Sequence, residues 1–387
     1  MSEIQYKIYT TVKEVPESWD NLPTQDIFLK TSFLTSLEQS CPINITPYYI
    51  GFFKLEKLVG IAVMQRVELY ADDVFRKTED NALIKGTKKI ISKIIKGNVL
   101  VLGNLMHTGQ HGTFFLKEEL SFREYLNIVY KALNELKKNI KTKHNKKIRI
   151  IAFKDYFEAD EMHKNVSFFK TNKLYKVKVQ PNMLFDIPDN WNNTDEYISA
   201  FTKKYKRRFQ TAKKKKGNIQ HKELSLKAVG EFQQELFNLY KNVSDNARVN
   251  SFVLEPSHFF QLKKELQDKF KIFGYFLEDE LIGFYTIILN GKQLETYFLG
   301  YNKEFQFKHQ IYLNMLFDMA FYAIDNKLRT VVYARTAMEI KSSVGAEAKT
   351  MYLYMKHTNA IINLVLKYIV KFMNPKQDWQ ERHPFKT

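Results

Sequence analysis

The sequence holds a single cysteine, Cys41, in 387 residues. No intramolecular disulfide and no cysteine-based metal cluster can form, and the chain fits a reducing compartment. Long apolar runs are missing too. None reaches the roughly 20 residues that a membrane-spanning helix needs. Met1 to Val15 alternates polar and apolar residues without the apolar stretch of a secretory signal, so a cytoplasmic protein is expected. Acidic residues are the minority, 42 against 60 Lys and Arg, for a formal net charge of +18. That balance favours anionic partners: nucleic acid, a phospholipid surface, a nucleotide-like cofactor or an acidic carrier protein. There is no Walker loop, no GxGxxG, no HExxH and no Cys/His metal spacing, so no metal is expected. His107 and His111 have helical spacing but sit in a glycine-containing loop, His107 to Gly112, and read as part of a turn.

What is present begins with an internal repeat, which has to be sought before other features. Lys271 to Gly291 alternates and turns like a β-hairpin, and so does Tyr49 to Val63. Ile50, Gly51, Phe53, Leu58, Val59 and Gly60 align without a gap on Phe273, Gly274, Phe276, Leu281, Ile282 and Gly283, each 223 positions on. Such length, with 44% apolar and 26% charged residues, suits two globular domains. Pro181, Pro188 and the run Asn190 to Thr194 place a boundary there, giving 1–185 and 186–387.

Each half reads as hairpin, strand with a terminal glycine, helix, strand, short helix, strand. In the first half these are Tyr49 to Gln65, Val99 to Leu105, Ser121 to Leu136, Lys147 to Phe153, Ala159 to Asn172 and Tyr175 to Phe185. In the second they are Lys271 to Asn290, Leu294 to Gly300, His309 to Asn326, Thr330 to Ala334, Arg335 to Gly345 and Thr350 to Lys356. A strand–helix–strand crossover pairs its strands in parallel, and a hairpin beside it makes the sheet mixed. The fold class is therefore α/β with a mixed sheet.

Three basic segments stand out. Lys88 to Lys96 alternates isoleucine and lysine at helical spacing, fitting either an anionic membrane or the protein's own core. A helix opening near Thr194 carries an aromatic stripe, Tyr197, Phe201, Tyr205 and Phe209, on one face. Its other face carries Lys203, Lys204, Lys206, Arg207 and Arg208, followed by Lys213 to Lys216 and a stop at Gly217. That basic face suits the phosphates of tRNA, the acidic helix of a carrier protein or anionic lipid. The closing helix Asn359 to Met373 is apolar on one side, with Lys367 and Lys371 on its rim. It reads as a cover for the second sheet or as an insertion at a membrane surface.

The order of elements resembles the GNAT superfamily of N-acyltransferases, and its tandem form resembles the Fem-like branch. Two segments carry more than topology: Tyr205 to Gly217 is similar to the basic helix opening the second domain of that branch, and Arg335 to Ser342 with Gly345 resembles the segment after its fifth strand. The resemblance implies two tandem GNAT-like domains, the second catalytic. It implies an acyl or aminoacyl group moving from acyl-CoA, acyl carrier protein or aminoacyl-tRNA onto an amine of a lipid or cell-wall precursor. The site would lie where the fourth and fifth strands splay, exposing Glu295, Tyr297, Tyr333 and Arg335. Catalytic candidates are Arg335, Glu339, Lys341, Glu295, Tyr312 and His309, and donor contacts would fall on Tyr297, Leu299, Gly300, Tyr333 and Lys308. The glycine-rich turn that meets coenzyme A pyrophosphate in acetyltransferases is here Gly300 to His309, with one glycine. The contrasting expectation is a non-catalytic protein whose degenerate GNAT scaffold holds tRNA or the inner face of a membrane.

Overall fold

The computed structural model describes residues 3–69, 91–94, 96–246, 251–373 and 379–386, without the side chains of 367 and 370–373. Of the expected basic segment, Lys88, Lys89, Ile90 and Ile95 lie outside the described residues, as do the side chains of Lys367 and Lys371. The chain divides into two compact units, Met1–Val179 with Arg248–Val253 and Thr350–Lys376, and Gln180–Ala247 with Leu254–Lys349 and Gln377–Thr387.

In the first unit, β1 (Ile4–Tyr9), β2 (Ile45–Lys54), β3 (Lys57–Leu69), β4 (Gly97–Leu102), β5 (Thr113–Phe115) and β6 (Ile148–Phe157) follow in sequence. Leu55 and Glu56 both take positive φ, 46° and 67°, which makes the tight β2–β3 turn. Two consecutive left-handed residues match the twist of hairpin strands. β4 and β6 pair in parallel. Between them runs the helix Phe122–His144, opened by a reciprocal Ser121–Glu124 capping box. It buries Tyr125, Leu126, Val129, Ala132, Leu133, Leu136 and Ile140 against the sheet, the spacing of one helical face.

β7 (Tyr175–Asp186) enters the second unit, where its last residues pair with β12. There follow β8 (Gln220–Glu223), β9 (Phe270–Leu277), β10 (Glu280–Asn290), β11 (Gln293–Tyr301), β12 (Thr330–Val332) and β13 (Glu347–His357). β11 and β12 are parallel, β9 and β10 antiparallel. From Thr350 on the chain belongs to the first unit, where β13 pairs with β6.

The two hairpins share their register. Ile50, Gly51 and Lys54 face Ala62, Ile61 and Lys57. Phe273, Gly274 and Leu277 face Tyr285, Phe284 and Glu280. Each glycine makes room for the same neighbours: a Cβ would stand 2.9 Å from Phe53 at Gly51 and 2.7 Å from Phe276 at Gly274.

Three local differences from the sequence expectation have physical causes. The aromatic-striped helix is two helices, Thr194–Ala200 and Lys203–Lys216, because Phe201 is extended and bridges to Phe385. Its first part is capped by Asn193, whose side chain accepts from the Glu196 N–H. Likewise His309 ends one helix, Lys303–His309, and left-handed Gln310 (φ 48°) separates it from Ile311–Asp325. The closing helix, Ala360–Met373, belongs to the first unit and does not cover the second sheet. No helix among the described residues is long and apolar enough to cross a membrane.

Candidate active site

β11 and β12 share only three rungs, Gln293–Thr330, Leu294–Val331 and Glu295–Val332, and then part. Because they are parallel, their C-terminal ends and the start of the helix between them lie on one edge of the second unit. Past β12 the chain turns sharply. Ala334, Thr336 and Ala337 all take positive φ, 57°, 66° and 46°. Non-glycine residues rarely adopt this region, and a cluster of them stores strain.

Lys341 holds that turn. It sits in the helix Met338–Ser342 and is 5% exposed. Its Nζ donates to the carbonyl oxygens of Ala334 (3.2 Å) and Arg335 (2.6 Å). Burial lowers its pKa from 10.5 to about 7. Arg335 and Lys341, proposed together from sequence, are thus in direct contact, with the half-buried Arg335 side chain leaving from the strained turn. Glu339 is exposed on the same helix and pairs with Arg382, whose backbone N–H donates to Ser342 Oγ at 3.0 Å.

The other candidates scatter. Glu295 is 5% exposed and faces Val332 across the rung. Val331 and Tyr333, either side of Val332, pack into the core on the opposite face of the sheet, so Glu295 and Tyr333 are not on one face. The Tyr333 hydroxyl donates to the Leu316 carbonyl at 2.6 Å. A bulge in the β10–β11 pairing turns Tyr297 aside. It stacks on His258 at 5.8 Å, its hydroxyl 3.2 Å from His258 Nε2. Leu299 packs on the core and Lys308 is exposed. Tyr312 is half-buried beside Tyr301, and burial raises its hydroxyl pKa. His309 Nδ1 stands 2.9 Å from the Lys215 carbonyl, which makes that nitrogen the donor and ties His309 to the end of the basic helix. Among the described residues no three His, Cys, Asp or Glu side chains gather to hold a metal ion.

No family model matches the sequence, and no curated protein matches it. Solved structures do. The chain is similar to FemX, with a TM-score of 0.56 at 11% identity over 94% of this chain and 100% of that one. It is also similar to a tandem GNAT protein from the clavulanic acid biosynthesis pathway, with a TM-score of 0.50 at 8% identity over 92% and 99%. The chain has a Fem-like tandem GNAT fold.

On this GNAT frame, the end of the fourth strand of the second copy and the segment after it are engaged by the protein's own groups. At Gly300 a Cβ would come within 2.3 Å of the Leu239 carbonyl carbon and 2.4 Å of the Tyr240 nitrogen. The glycine admits the backbone of the helix Gln233–Ser244. Gly300→Ala is expected to cost about 1–3 kcal/mol, the range for overpacking, read as a lower urea midpoint. An unchanged midpoint would show that the helix gives way freely. At the start of Ile311–Asp325 the backbone N–H of Tyr312 donates to Gln306 Oε1 at 2.9 Å. One donor that a helix start offers to a phosphate is therefore taken internally.

The basic face is present as expected: Lys203, Lys204, Lys206, Arg207 and Arg208 are all exposed on Lys203–Lys216. Two lysines of the following run are not on it. Lys213 and Lys216 turn to Asp318, at 2.6 and 3.0 Å. Asp318 is 8% exposed and also accepts from the Tyr275 hydroxyl at 2.6 Å, with His221 at 3.9 Å. Burial raises the pKa of Asp318, but Lys213, Lys216 and His221 outweigh it and hold it at about 2. Burial lowers His221 to about 4, so it is neutral near pH 7. The sequence signal for this cluster was a lone acid inside the apolar run from Ile311 to Tyr322, on a helix read only for its apolar face.

In the first unit the matching strand, β6, carries Lys154 and Asp155, paired at 2.9 Å and buried. Lys154 Nζ donates to the His107 and Gly109 carbonyls, and Asp155 accepts from the Gly109 N–H at 3.2 Å. These bonds tie the loop from Gly103 to Gly112 to β6. His111 joins the arrangement through Asp26, Nδ1 to Oδ2 at 2.8 Å.

Proposed function

We propose that the protein is an N-acyltransferase that moves an acyl or aminoacyl group from a thioester or an aminoacyl-tRNA onto an amine of a lipid or cell-wall precursor. The chemistry is assigned to the second copy, residues 186–387. The observation that carries this reading is the buried amine of Lys341. A neutral amine has two N–H donors and one lone pair. Its two donors are spent on the Ala334 and Arg335 carbonyls, so the lone pair is left for a proton. With a pKa of about 7, that amine suits a base at neutral pH.

In the proposed reaction the acceptor nitrogen attacks the donor carbonyl and Lys341 takes its proton. Arg335 faces the oxyanion of the tetrahedral intermediate. As that intermediate collapses, the carbon–sulfur or carbon–oxygen bond to the donor breaks, and the leaving thiolate or alkoxide receives a proton from solvent or the Tyr312 hydroxyl. Glu339, held by Arg382, and Glu295, His309 and Tyr297, held elsewhere, fit roles in binding rather than proton transfer. The internal engagement at Gly300 and Gln306 supports aminoacyl-tRNA, or a carrier protein, over the pyrophosphate of coenzyme A. The exposed lysines and arginines of Lys203–Lys216 support an anionic donor, and the basic chain fits work in the cytoplasm at the inner face of a membrane.

That engagement also favours a second reading, a binding protein that holds tRNA or anionic lipid without reaction. Purified protein offered acyl-CoA, acyl carrier protein and aminoacyl-tRNA in turn, with an amine acceptor, separates the two by mass spectrometry. We expect an acylated amine from one donor. Arg335→Ala is expected to slow transfer by about 10²-fold or more, the size of one lost oxyanion contact, with an unchanged circular dichroism spectrum. Full activity in that variant would sink the role of Arg335, and tight tRNA binding without transfer from any donor would favour the second reading.

A further inference from the structure

We propose that the outer face of the helix Ala360–Met373 seats on an anionic phospholipid surface. Ile361, Leu364, Val365 and Tyr368 are 78%, 67%, 46% and 63% exposed. Their spacing, three, four and seven residues on, puts them on one face. Four large apolar side chains in one exposed stripe mark an interaction surface rather than scattered surface residues.

The helix is held so that this stripe faces out. Asn363, Leu366 and Ile369 on the other side are buried, at 3%, 0% and 9% exposure. Asn363 Oδ1 accepts from the His357 N–H at 2.7 Å, and its Nδ2 donates to the Lys173 carbonyl at 3.1 Å. Asn359 Oδ1 accepts from the Ile361 and Ile362 N–H groups at 3.0 and 3.1 Å and caps the helix start. The stripe is therefore a fixed feature of the first unit, not a frayed end.

Charge decides what covers it. From Ala360 to Met373 the sequence has two lysines and no acidic residue. The helix start is joined to a second amphipathic segment through one residue. The Arg149 carbonyl accepts from the Thr358 N–H at 2.7 Å, while its guanidinium donates to the Lys93 and Lys96 carbonyls, both at 3.3 Å. Residues 91–94 are helical, with Ile91 buried and Lys93 exposed; Lys96 and Lys147 are exposed as well. The segments bonded through Arg149 to the helix start thus carry exposed lysines, on a chain of net charge +18. Apolar insertion with basic flanks is the chemistry of an amphipathic helix lying in the interface of an anionic bilayer. A protein groove would satisfy the stripe but not account for a helix with two lysines and no acidic residue beside segments with exposed lysines.

The test uses the full chain and no acyl donor, so its outcome is separate from that of the transferase reading. We expect the protein to sediment at low salt with vesicles of equal parts phosphatidylglycerol and phosphatidylcholine, and weakly with phosphatidylcholine alone. The triple variant Ile361→Gln, Leu364→Gln, Val365→Gln is expected to bind at least about tenfold more weakly, as buried apolar area is lost. Lys93→Glu with Lys96→Glu weakens binding through charge and leaves the helix packing untouched. Wild-type protein that stays in the supernatant overturns the proposal, and so does equal sedimentation of all variants. A dimer in analytical ultracentrifugation that the triple variant dissolves, without vesicle binding, assigns the stripe to a second copy instead.

Discussion

Asp318→Leu is expected to destabilise the second unit by roughly 3–5 kcal/mol, the cost of removing one partner from a buried ion pair. The leucine fills the space but leaves Lys213 and Lys216 facing each other, 28% and 16% exposed, and the Tyr275 hydroxyl without its acceptor. Most of the loss comes from charges left unpaired rather than from bonds removed. A triple variant, Asp318→Leu with Lys213→Met and Lys216→Met, is therefore expected to recover most of it, since apolar replacements of a buried ion cluster are often neutral. Urea denaturation followed by far-ultraviolet circular dichroism reads both. A single variant as stable as wild type would remove the cluster as a clamp, and a triple variant no better than the single would show that the carboxylate itself is needed. The acid limb adds a second reading. The folded pKa of Asp318, about 2, lies below its ordinary 3.8. Its contribution is complete above pH 3.8 and disappears as pH falls toward 2, so the triple variant should lose less stability over that interval.

The clamp bears on function because it joins the basic helix to the helix between β11 and β12. Asn314, one turn earlier, donates to the Ala212 and His309 carbonyls at 3.0 and 3.1 Å. Lys203–Lys216 is thus fixed at its C-terminal end, and its exposed cations are presented from a rigid base. Such presentation lowers the ordering cost of gripping an anionic partner.

The repeat was legible because hairpins announce themselves twice, in alternation and in the glycines their packing requires. Gly51 and Gly274 meet the same phenylalanine and leucine at the same offset. The parallel pairing of β4 with β6 and of β11 with β12 followed from it, since a helix between two apolar strands allows few arrangements. Exchange of β13 into the first unit was not legible, because pairing partners far apart in sequence leave no local trace. The strand-end candidates come together only in part. Arg335 and Lys341 share a turn and a helix, so sequence proximity brought them together. Glu295 and Tyr333 were parted by the two-residue alternation of parallel strands and Tyr297 by a bulge, and a bulge depends on the partner strand. Asp318 was passed over because an apolar helix face was read for what it buries, while a buried carboxylate depends on cations from another helix.

Between pH 7 and 9 the wild-type protein is expected to gain about 2 kcal/mol of stability from Lys341, and Lys341→Met is expected to lack that gain. The unfolded chain keeps this lysine's proton up to about 10.5, whereas in the folded state burial releases it near 7. Below pH 7 both states are protonated, and the folded state bears the full cost of a buried charge. As pH rises from 7 toward 10.5, the folded amine is neutral while the unfolded one still binds a proton. The cost is relieved and stability increases. Other titrating groups act alike in both proteins, so the difference between their urea midpoints at pH 7, 8 and 9 isolates Lys341. Parallel midpoints would show that the amine keeps its charge in the fold. The same neutral amine is the proposed base, so acyl transfer should rise with pH through about 7 in the wild type. Lys341→Met should be about 10²–10⁴-fold slower and flat with pH, the usual range for loss of a general base. Lys341→Arg restores donors to the Ala334 and Arg335 carbonyls but cannot give up its proton. It carries a buried charge at every pH, so it should lack both the activity and the stability gain between pH 7 and 9, whereas if the lysine were purely structural and charged in the fold the same substitution would leave transfer intact.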